Sequence, residues 1–280
     1  MRTFLLLAAS LLIAACGSDS DEAYPDVMRE QHDGDTSSAS GATDGAASLD
    51  VTMEEVAYAT IGGEAVTGTL VRPANMDGPL PGVIVIHEWW GLNDNVRDMA
   101  RRLADQGYAA LAVDLYGGEV ADTPDAAMAL MQSAMGREAD LTDNVRQAYA
   151  YLSDQQNAPA VGSIGWCFGG MWSLRTALAL PQDLDASVIY YGRPVTDAAE
   201  LAPLTMPVLA LFGEADSSIP METVRAFESA LGEAGVASEV IAYPGADHAF
   251  ANPSGQNYQA AAAEDAWDRT TAFFAEHLSP

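Results

Sequence analysis

The chain has 280 residues with 12 basic and 40 acidic side chains, a formal net charge of −28, and 49% hydrophobic residues. There is enough apolar material for a sizeable core, and the excess of acid argues against nucleic acid or an anionic membrane surface as an electrostatic partner. All 12 basic residues are arginine, which excludes chemistry that needs a Walker-type or Schiff-base lysine.

Residues 1–15 have the pattern of a secretory signal peptide. Arg2 gives a positive start, and the apolar run Phe4–Ala15 is shorter than the ~20 residues that a membrane-spanning helix needs. The run ends Leu-Ile-Ala-Ala-Cys16, which resembles the lipobox of bacterial lipoproteins and implies that Cys16 is lipidated. Gly17, rather than Asp, follows Cys16 and favours the outer membrane or periplasmic face of a cell envelope. The alternative is an ordinary cleaved signal with a chance cysteine.

Residues 16–50 are rich in Ser, Asp, Gly and Ala and show no helical or strand period. Such a segment buries too little apolar surface to offset its ordering entropy. The sequence therefore predicts a flexible acidic linker over 16–50 and one catalytic domain over 51–280.

From Val51 onward, short apolar runs alternate with amphipathic stretches. Two runs at the start, Val51–Ala59 and Ala65–Val71, predict an antiparallel hairpin at a sheet edge. The later strands are predicted at Val83–Ile86, Ala109–Val113, Val161–Ile164, Val188–Tyr191, Val208–Phe212 and Glu239–Tyr243. The helices between them are predicted at Asn93–Gln106, Pro124–Ser133, Asp140–Leu152, Gly169–Leu180, Pro220–Leu231 and Tyr258–Leu278. Near-continuous apolar strands alternating with helices indicate an α/β fold with a mostly parallel sheet covered on both faces.

The reactive residues of such a sheet are expected at the carboxyl ends of its strands. After the strand at Val161–Ile164 comes Gly165-Trp-Cys167-Phe-Gly169, the pattern of a nucleophile elbow with cysteine in the serine position. A sharp strand-to-helix turn would present the Cys167 side chain at a helix N-terminus, whose partial positive charge favours a thiolate.

Two further strand ends carry an acid and a base. Asp216 follows Val208–Phe212, and His248 follows Glu239–Tyr243. Alone, a Gly-x-Cys-x-Gly turn, a loop Asp or a single His is more often structural. Together, their order along the chain is the nucleophile, acid, base order of α/β-hydrolases and predicts a Cys167–Asp216–His248 triad.

Several motifs resemble the dienelactone hydrolase family, an α/β-hydrolase family, over most of residues 51–280. They are His87-Glu-Trp-Trp-Gly91, Asp114-Leu-Tyr116, the cysteine elbow, Tyr190-Tyr-Gly192 and His248-Ala-Phe250. The resemblance implies the same triad and a carboxylic ester or lactone substrate. It also implies Glu88 beside the thiol and an oxyanion hole made by the backbone N–H groups of Trp89 and Phe168.

The resemblance gives Glu88 a specific task. In the family this glutamate takes the thiol proton when substrate binds, so we expect a neutral Cys167 thiol at rest. The alternative for Glu88 is a buried structural acid paired with an arginine.

The chain also departs from the family pattern. Where the family has a substrate-binding arginine four residues after the catalytic histidine, this chain has Asn252. The predicted helix Pro124–Ser133 lacks the other arginine. Arg193 is a candidate replacement, or a surface ion pair. We therefore expect neutral esters or lactones to be better substrates than dienelactone. The candidate pocket residues are Trp90, Tyr116, Tyr191, Arg193, Phe250 and Asn252.

The remaining expectations concern cofactors and partners. The four histidines, including His32 and His277, have no metal-ligand spacing, so neither a metal nor a cofactor is expected. The expected partners are a small ester or lactone and a lipid anchor, with no nucleic acid; a monomer is the default, since the sequence does not define an oligomer. Two alternative functions stay open: a thiol-based redox or sensing protein, and a catalytically inactive binding module on the same fold.

Overall fold

The computed structural model describes residues 31, 32, 35, 37, 50–76 and 78–279. The predicted signal peptide, the lipidated Cys16 and most of the predicted linker lie outside these residues. The described helices include none that is both long and apolar enough to cross a membrane.

The domain begins with an antiparallel hairpin of β1 (Val51–Ile61) and β2 (Glu64–Pro73). Gly62 and Gly63 form its turn and both have positive φ, a conformation that glycine adopts without a Cβ penalty. The predicted edge hairpin is thus confirmed, with β1 outermost and β2 pairing onward to the body of the sheet.

Six short strands complete an eight-stranded sheet in the order β1-β2-β4-β3-β5-β6-β7-β8. They are β3 (Gly82–Ile86), β4 (Ala109–Val113), β5 (Val161–Trp166), β6 (Ala186–Tyr190), β7 (Val208–Gly213) and β8 (Ser238–Tyr243). All pairings from β4 to β8 are parallel. Every residue of β3 to β7 is buried, as expected for strands covered on both faces. The fold is the predicted α/β-hydrolase fold.

Seven α-helices connect or flank the described strands. They are α1 (Asp94–Asp105), α2 (Pro124–Met135), α3 (Glu138–Ala150), α4 (Phe168–Ala179), α5 (Ala198–Leu201), α6 (Met221–Ala234) and α7 (Ala260–His277). A π-helical turn at Tyr151–Gln155 extends α3. The short α5 and the π-helical turn were not predicted, because a single turn is too short to show a helical period.

Helices cover both faces of the sheet, as two neighbouring residues of β5 show. A Cβ on Gly162 would meet Phe274 and Leu278 at the end of α7, whereas Ser163 hydrogen-bonds to Ser173 of α4 at 2.8 Å. Since successive strand residues point to opposite faces, α7 and α4 lie on opposite sides of the sheet. Because strands β3 to β8 are parallel, their carboxyl ends all lie at one edge of this covered sheet. The candidate site lies at that edge.

Candidate active site

Cys167 occupies the sharp turn between β5 and α4. Its backbone has φ 55° and ψ −115°, which is strained for a residue with a Cβ. The turn is possible because Gly165 and Gly169 cross closely: a Cβ on Gly165 would lie 2.1 Å from the Gly169 carbonyl oxygen. The strain and the crossing glycines are those of a nucleophile elbow, and the thiol is free and 2% exposed.

His248 and Asp216 form a buried pair after β8 and β7. His248 Nδ1 lies 2.7 Å from Asp216 Oδ2, and both side chains are inaccessible to solvent. Asp216 Oδ1 accepts hydrogen bonds from the backbone N–H and the hydroxyl of Ser218 and from the Ile219 N–H. Burial alone would raise the pKa of Asp216, but the charge and hydrogen bond of His248 hold it well below its usual range. An ionised carboxylate therefore fixes the orientation of the imidazole.

The imidazole of His248 interacts with the Cys167 thiol. One ring nitrogen of His248 and the sulfur lie within 4.8 Å of each other. Burial would raise the pKa of Cys167 and lower that of His248. Their mutual attraction is stronger, and with Asp216 it raises the pKa of His248 well above its usual value. The pKa of Cys167 falls to about 6.

The low pKa of Cys167 favours a thiolate–imidazolium pair at neutral pH. This is opposite to the neutral resting thiol expected from the resemblance. The main reason is the positive charge of His248, which lowers the pKa of Cys167, and the charge of a second histidine, His32, lowers it further.

His32 belongs to the predicted linker, yet it is fully buried against the catalytic residues. Its ring lies 4.4 Å from the Trp89 ring and 5.4 Å from the His248 ring, measured between centroids. Its Nδ1 lies 2.7 Å from Asp35 Oδ2. The sequence does not predict this burial of His32, because a histidine in a polar segment without periodicity gives no indication of where that segment packs.

The described neighbours of His32 also contact the domain. Gln31 donates to Asp216 at 3.3 Å and to Asp247 at 3.1 Å. Asp35 accepts from the Gln256 N–H at 2.8 Å, and the Ser37 carbonyl accepts from the Asn93 side chain at 2.9 Å. These contacts hold the described part of residues 31–37 over the carboxyl ends of the strands.

Glu88 lies at the end of β3 and is 8% exposed. Its carboxylate accepts hydrogen bonds from the Tyr191 hydroxyl at 3.3 Å and from the Asn252 side-chain amide at 2.7 Å. Among the described residues, no arginine pairs with Glu88. This is contrary to the alternative that Glu88 is a buried structural acid paired with an arginine. Burial, followed by the negative charge of Cys167, raises the pKa of Glu88 to about 7.

The two backbone amides predicted for the oxyanion hole belong to Trp89 and to Phe168, the residue that follows Cys167. In the described residues, no hydrogen bond uses the N–H of Trp89 or of Phe168. Phe168 is the first residue of α4, so its N–H carries the partial positive charge of the helix N-terminus. The oxyanion hole itself stays a prediction.

A cleft that is partly open to solvent lies beside Glu88. Most of its lining is apolar, and its polar groups come mainly from Glu88, Asn95 and Asn252. The full lining is Glu88, Asn95, Val96, Met99, Trp166, Tyr191, Ala251, Asn252 and Pro253. Two of the predicted pocket residues, Tyr191 and Asn252, are therefore in the cleft.

The other four predicted pocket residues lie elsewhere. Trp90 is fully buried and packs against Trp89. Tyr116 packs between His87 and Phe168, and Phe250 packs against Tyr191 and Tyr243. Arg193 is exposed. Trp166, by contrast, lines the cleft. From its position in the sequence, packing in the core is as well supported as a place in the pocket wall.

The site can generate a nucleophilic sulfur and move a proton through His248, and a mostly apolar cleft lies beside its Glu88. His32, Cys167 and His248 are also the described residues whose nitrogen and sulfur atoms are close enough to hold a metal ion.

Comparison with known proteins agrees with this geometry. The family model described as "Dienelactone hydrolase family" matches residues 66–278. A protein of Escherichia coli O157:H7 named "Putative carboxymethylenebutenolidase" is 36% identical over 222 residues, which are 74% of this chain and 80% of that protein. Protein usf of Aquifex pyrophilus is 35% identical over 206 residues, or 71% of this chain and 89% of the relative.

A solved structure is also similar throughout the domain. The crystal structure of a dienelactone hydrolase-like promiscuous phosphotriesterase from metagenomic libraries has a TM-score of 0.74 and 29% identity. The match covers 82% of this chain and 99% of that one.

Proposed function

The chain belongs to the dienelactone hydrolase family and is a hydrolase of esters or lactones, and we propose that Cys167, His248 and Asp216 perform the hydrolysis through an acyl-enzyme. The observation that carries the proposal is the strained elbow that holds the Cys167 sulfur within reach of an imidazole fixed by Asp216 at 2.7 Å. Glu88 takes part by controlling the charge beside the sulfur.

The proposed chemistry has two half-reactions. The Cys167 thiolate attacks the carbonyl carbon, and the oxyanion accepts hydrogen bonds from the Trp89 and Phe168 N–H groups. The imidazolium of His248 gives its proton to the leaving alkoxide, which departs as an alcohol. A water molecule then loses a proton to His248 and attacks the thioester, which releases the carboxylic acid and regenerates the thiolate.

A p-nitrophenyl acetate assay tests this proposal. We expect a burst of p-nitrophenol equal to the enzyme concentration, and loss of both burst and turnover in Cys167→Ala. Circular dichroism checks that the variant is folded. Turnover that survives in Cys167→Ala contradicts the proposal. Peroxide-sensitive changes without turnover would instead support a thiol sensor, and a protein without either response would support an inactive binding module.

The substrate we propose is a neutral ester or lactone. The cleft is mostly apolar, and Asn252 holds Glu88 rather than offering a positive charge. An anionic substrate would also approach a chain of net charge −28, which lowers its local concentration. We expect kcat/KM for a neutral lactone to exceed that for dienelactone, and comparable values would contradict the substrate class.

We also propose a lipid anchor at Cys16 in a bacterial cell envelope, on the outer membrane or the periplasmic face. Its support is the lipobox-like run before Cys16 and the polar stretch that follows it. Two or more acyl chains hold a protein stably, whereas one is marginal. Fractionation of wild type and Cys16→Ser tests the anchor, and a variant that still sediments with membranes contradicts it.

A further inference from the structure

His32 is a buried histidine that the proposed hydrolysis does not use. Its Nδ1 is paired with Asp35, and its Nε2 is buried without a hydrogen-bond partner of standard geometry. His248 has the same arrangement, with Nδ1 paired to Asp216 and Nε2 buried and unpartnered. Each imidazole is therefore oriented by a carboxylate and has a buried Nε2 that makes no hydrogen bond among the described residues.

These two rings converge on one thiol. A nitrogen of each histidine and the Cys167 sulfur all lie within 4.8 Å of one another. Histidines that bind zinc almost always pair their other ring nitrogen with a carboxylate or carbonyl, and zinc prefers nitrogen and sulfur ligands. We propose that His32, Cys167 and His248 form a zinc-binding site, with the fourth coordination position left open to water or a small anion.

The spacing suits zinc after a small adjustment. Zn–N and Zn–S bonds of about 2.1 and 2.3 Å in a tetrahedron place the ligand atoms roughly 3.3–3.6 Å apart. Zinc would therefore draw the three atoms together by up to about 1.5 Å from their 4.8 Å limit. On binding, the His248 imidazolium releases its proton to solvent, and the occupied site, Zn²⁺ with one thiolate and two neutral imidazoles, carries one net positive charge.

Occupancy would stop hydrolysis, and this consequence alone rests on the proposed function. Zinc takes the sulfur that attacks the substrate and the ring nitrogen that moves the proton. The metal and the acyl group thus compete for the same atoms. His32, which lies ahead of the domain in sequence, would decide how tightly the metal is held.

Cobalt titration of the purified, reduced protein tests the site without using its activity. We expect one Co²⁺ per chain, with absorption bands of a tetrahedral ion and a thiolate-to-cobalt charge-transfer band, and stoichiometric displacement by Zn²⁺. Cys167→Ser should lose the charge-transfer band. An octahedral spectrum with no thiolate band would show metal on surface carboxylates only and would overturn the proposal.

Variants of His32 and of its partner Asp35 distinguish the proposed three-ligand site from a simple Cys167–His248 pair. Asp35→Asn should raise the Kd for Zn²⁺ 10- to 100-fold, and His32→Ala should raise it at least as much. His277→Ala, at the far end of α7, is the matched control and should bind zinc as wild type does. Wild-type affinity in His32→Ala would overturn the proposal.

Ester turnover of the metal-free protein is measured separately, so that an inactive triad and an absent zinc site give different results. If the metal-free protein is active, Zn²⁺ should inhibit it with the Kd found by titration. Full activity of the zinc-loaded protein would refute the inhibitory consequence and leave the binding result standing.

Discussion

Individual side chains of the active site are tuned by burial and by their charged neighbours. The pKa values of Cys167, His248 and Glu88 depend on one another, because each side chain is buried and the charge of Cys167 raises the pKa of the other two. The carboxylate of Glu88 raises the energy of a neighbouring thiolate, whereas the two histidines lower it. The result is a sulfur whose reactivity depends on which of these charges is present.

Replacement of Glu88 tests the effect of its charge on the sulfur. Glu88→Gln removes the negative charge, so we expect faster alkylation of Cys167 by iodoacetamide at pH 7–8 and a changed pH profile of ester hydrolysis. The pH dependence of both rates is the measurement. If both profiles were unchanged, Glu88 would have no role in the chemistry.

The same substitution has a consequence for stability. The pKa of Glu88 is raised to about 7, so the folded state holds a proton that the unfolded chain loses near pH 4.5. Wild type should therefore lose stability as pH rises from about 5 to 8, by up to an order of 3 kcal/mol. Glu88→Gln has no such loss. Urea unfolding at pH 5 and pH 8 measures the difference, and a gap that does not widen with pH contradicts this prediction.

Asp216 acts through the ring of His248. Asp216→Asn keeps the size of the side chain but can no longer stabilise the imidazolium. By analogy with other triads, kcat should fall by about 10³–10⁴. Steady-state ester hydrolysis measures the loss, and a fall of less than tenfold would show that Ser218, which also contacts His248 Nδ1 at 3.2 Å, can replace the carboxylate.

At the scale of elements, the elbow depends on close packing between β5, α4 and the end of β3. Gly169 lies in the first turn of α4, where a Cβ would be 2.3 Å from the Ile86 carbonyl oxygen. Gly232 lies in α6, where a Cβ would meet no atom within 4 Å. The two glycines are both helical and differ mainly in their surroundings.

Alanine substitution at these two glycines should give opposite results. Gly169→Ala must move backbone and should cost about 3 kcal/mol or more, or prevent folding. Gly232→Ala should be neutral or stabilise the protein by up to about 1 kcal/mol. Urea denaturation measures both variants. Equal effects at the two positions would show that the elbow can relax without cost.

The sequence predicted these elements well, because the burial of a strand can be recognised from the apolar residues of that strand alone. Apolar runs such as that of β3 are typical of parallel strands, and the crossing glycines at Gly165 and Gly169 show the elbow directly. The position of His32 could not be predicted from the sequence. Its position depends on how the described part of residues 31–37 packs on the surface of the folded domain, and no periodicity in the sequence indicates such packing. Trp90, Tyr116 and Phe250 belong to family motifs but are packed inside, since an aromatic in a motif can support the site without lining it.

At the scale of the whole molecule, the dominant property is charge. A formal net charge of −28 on 280 residues means that the folded state repels itself more strongly than the expanded chain does. Salt screens this repulsion over a Debye length of about 8 Å at physiological ionic strength.

The thermal midpoint should therefore rise with NaCl. We expect an increase in Tm between about 10 and 150 mM NaCl at pH 7.5, and a smaller one beyond this range because the screening is then nearly complete. Sucrose at matched osmolality is the control for non-electrostatic stabilisation. A Tm that is independent of salt would show that the acidic side chains are too far apart to repel.

The outermost strand β1 exposes much of its length, with Glu54 and Glu55 among its solvent-facing residues. An unpaired strand edge is a template for another chain, and charged side chains are a common protection against such pairing. Here that protection is entirely anionic, since no residue of β1 is basic. Acidification to the range where carboxylates take up protons would therefore remove the barrier between copies, and strand-to-strand aggregation would begin at this hairpin before the parallel core unfolds.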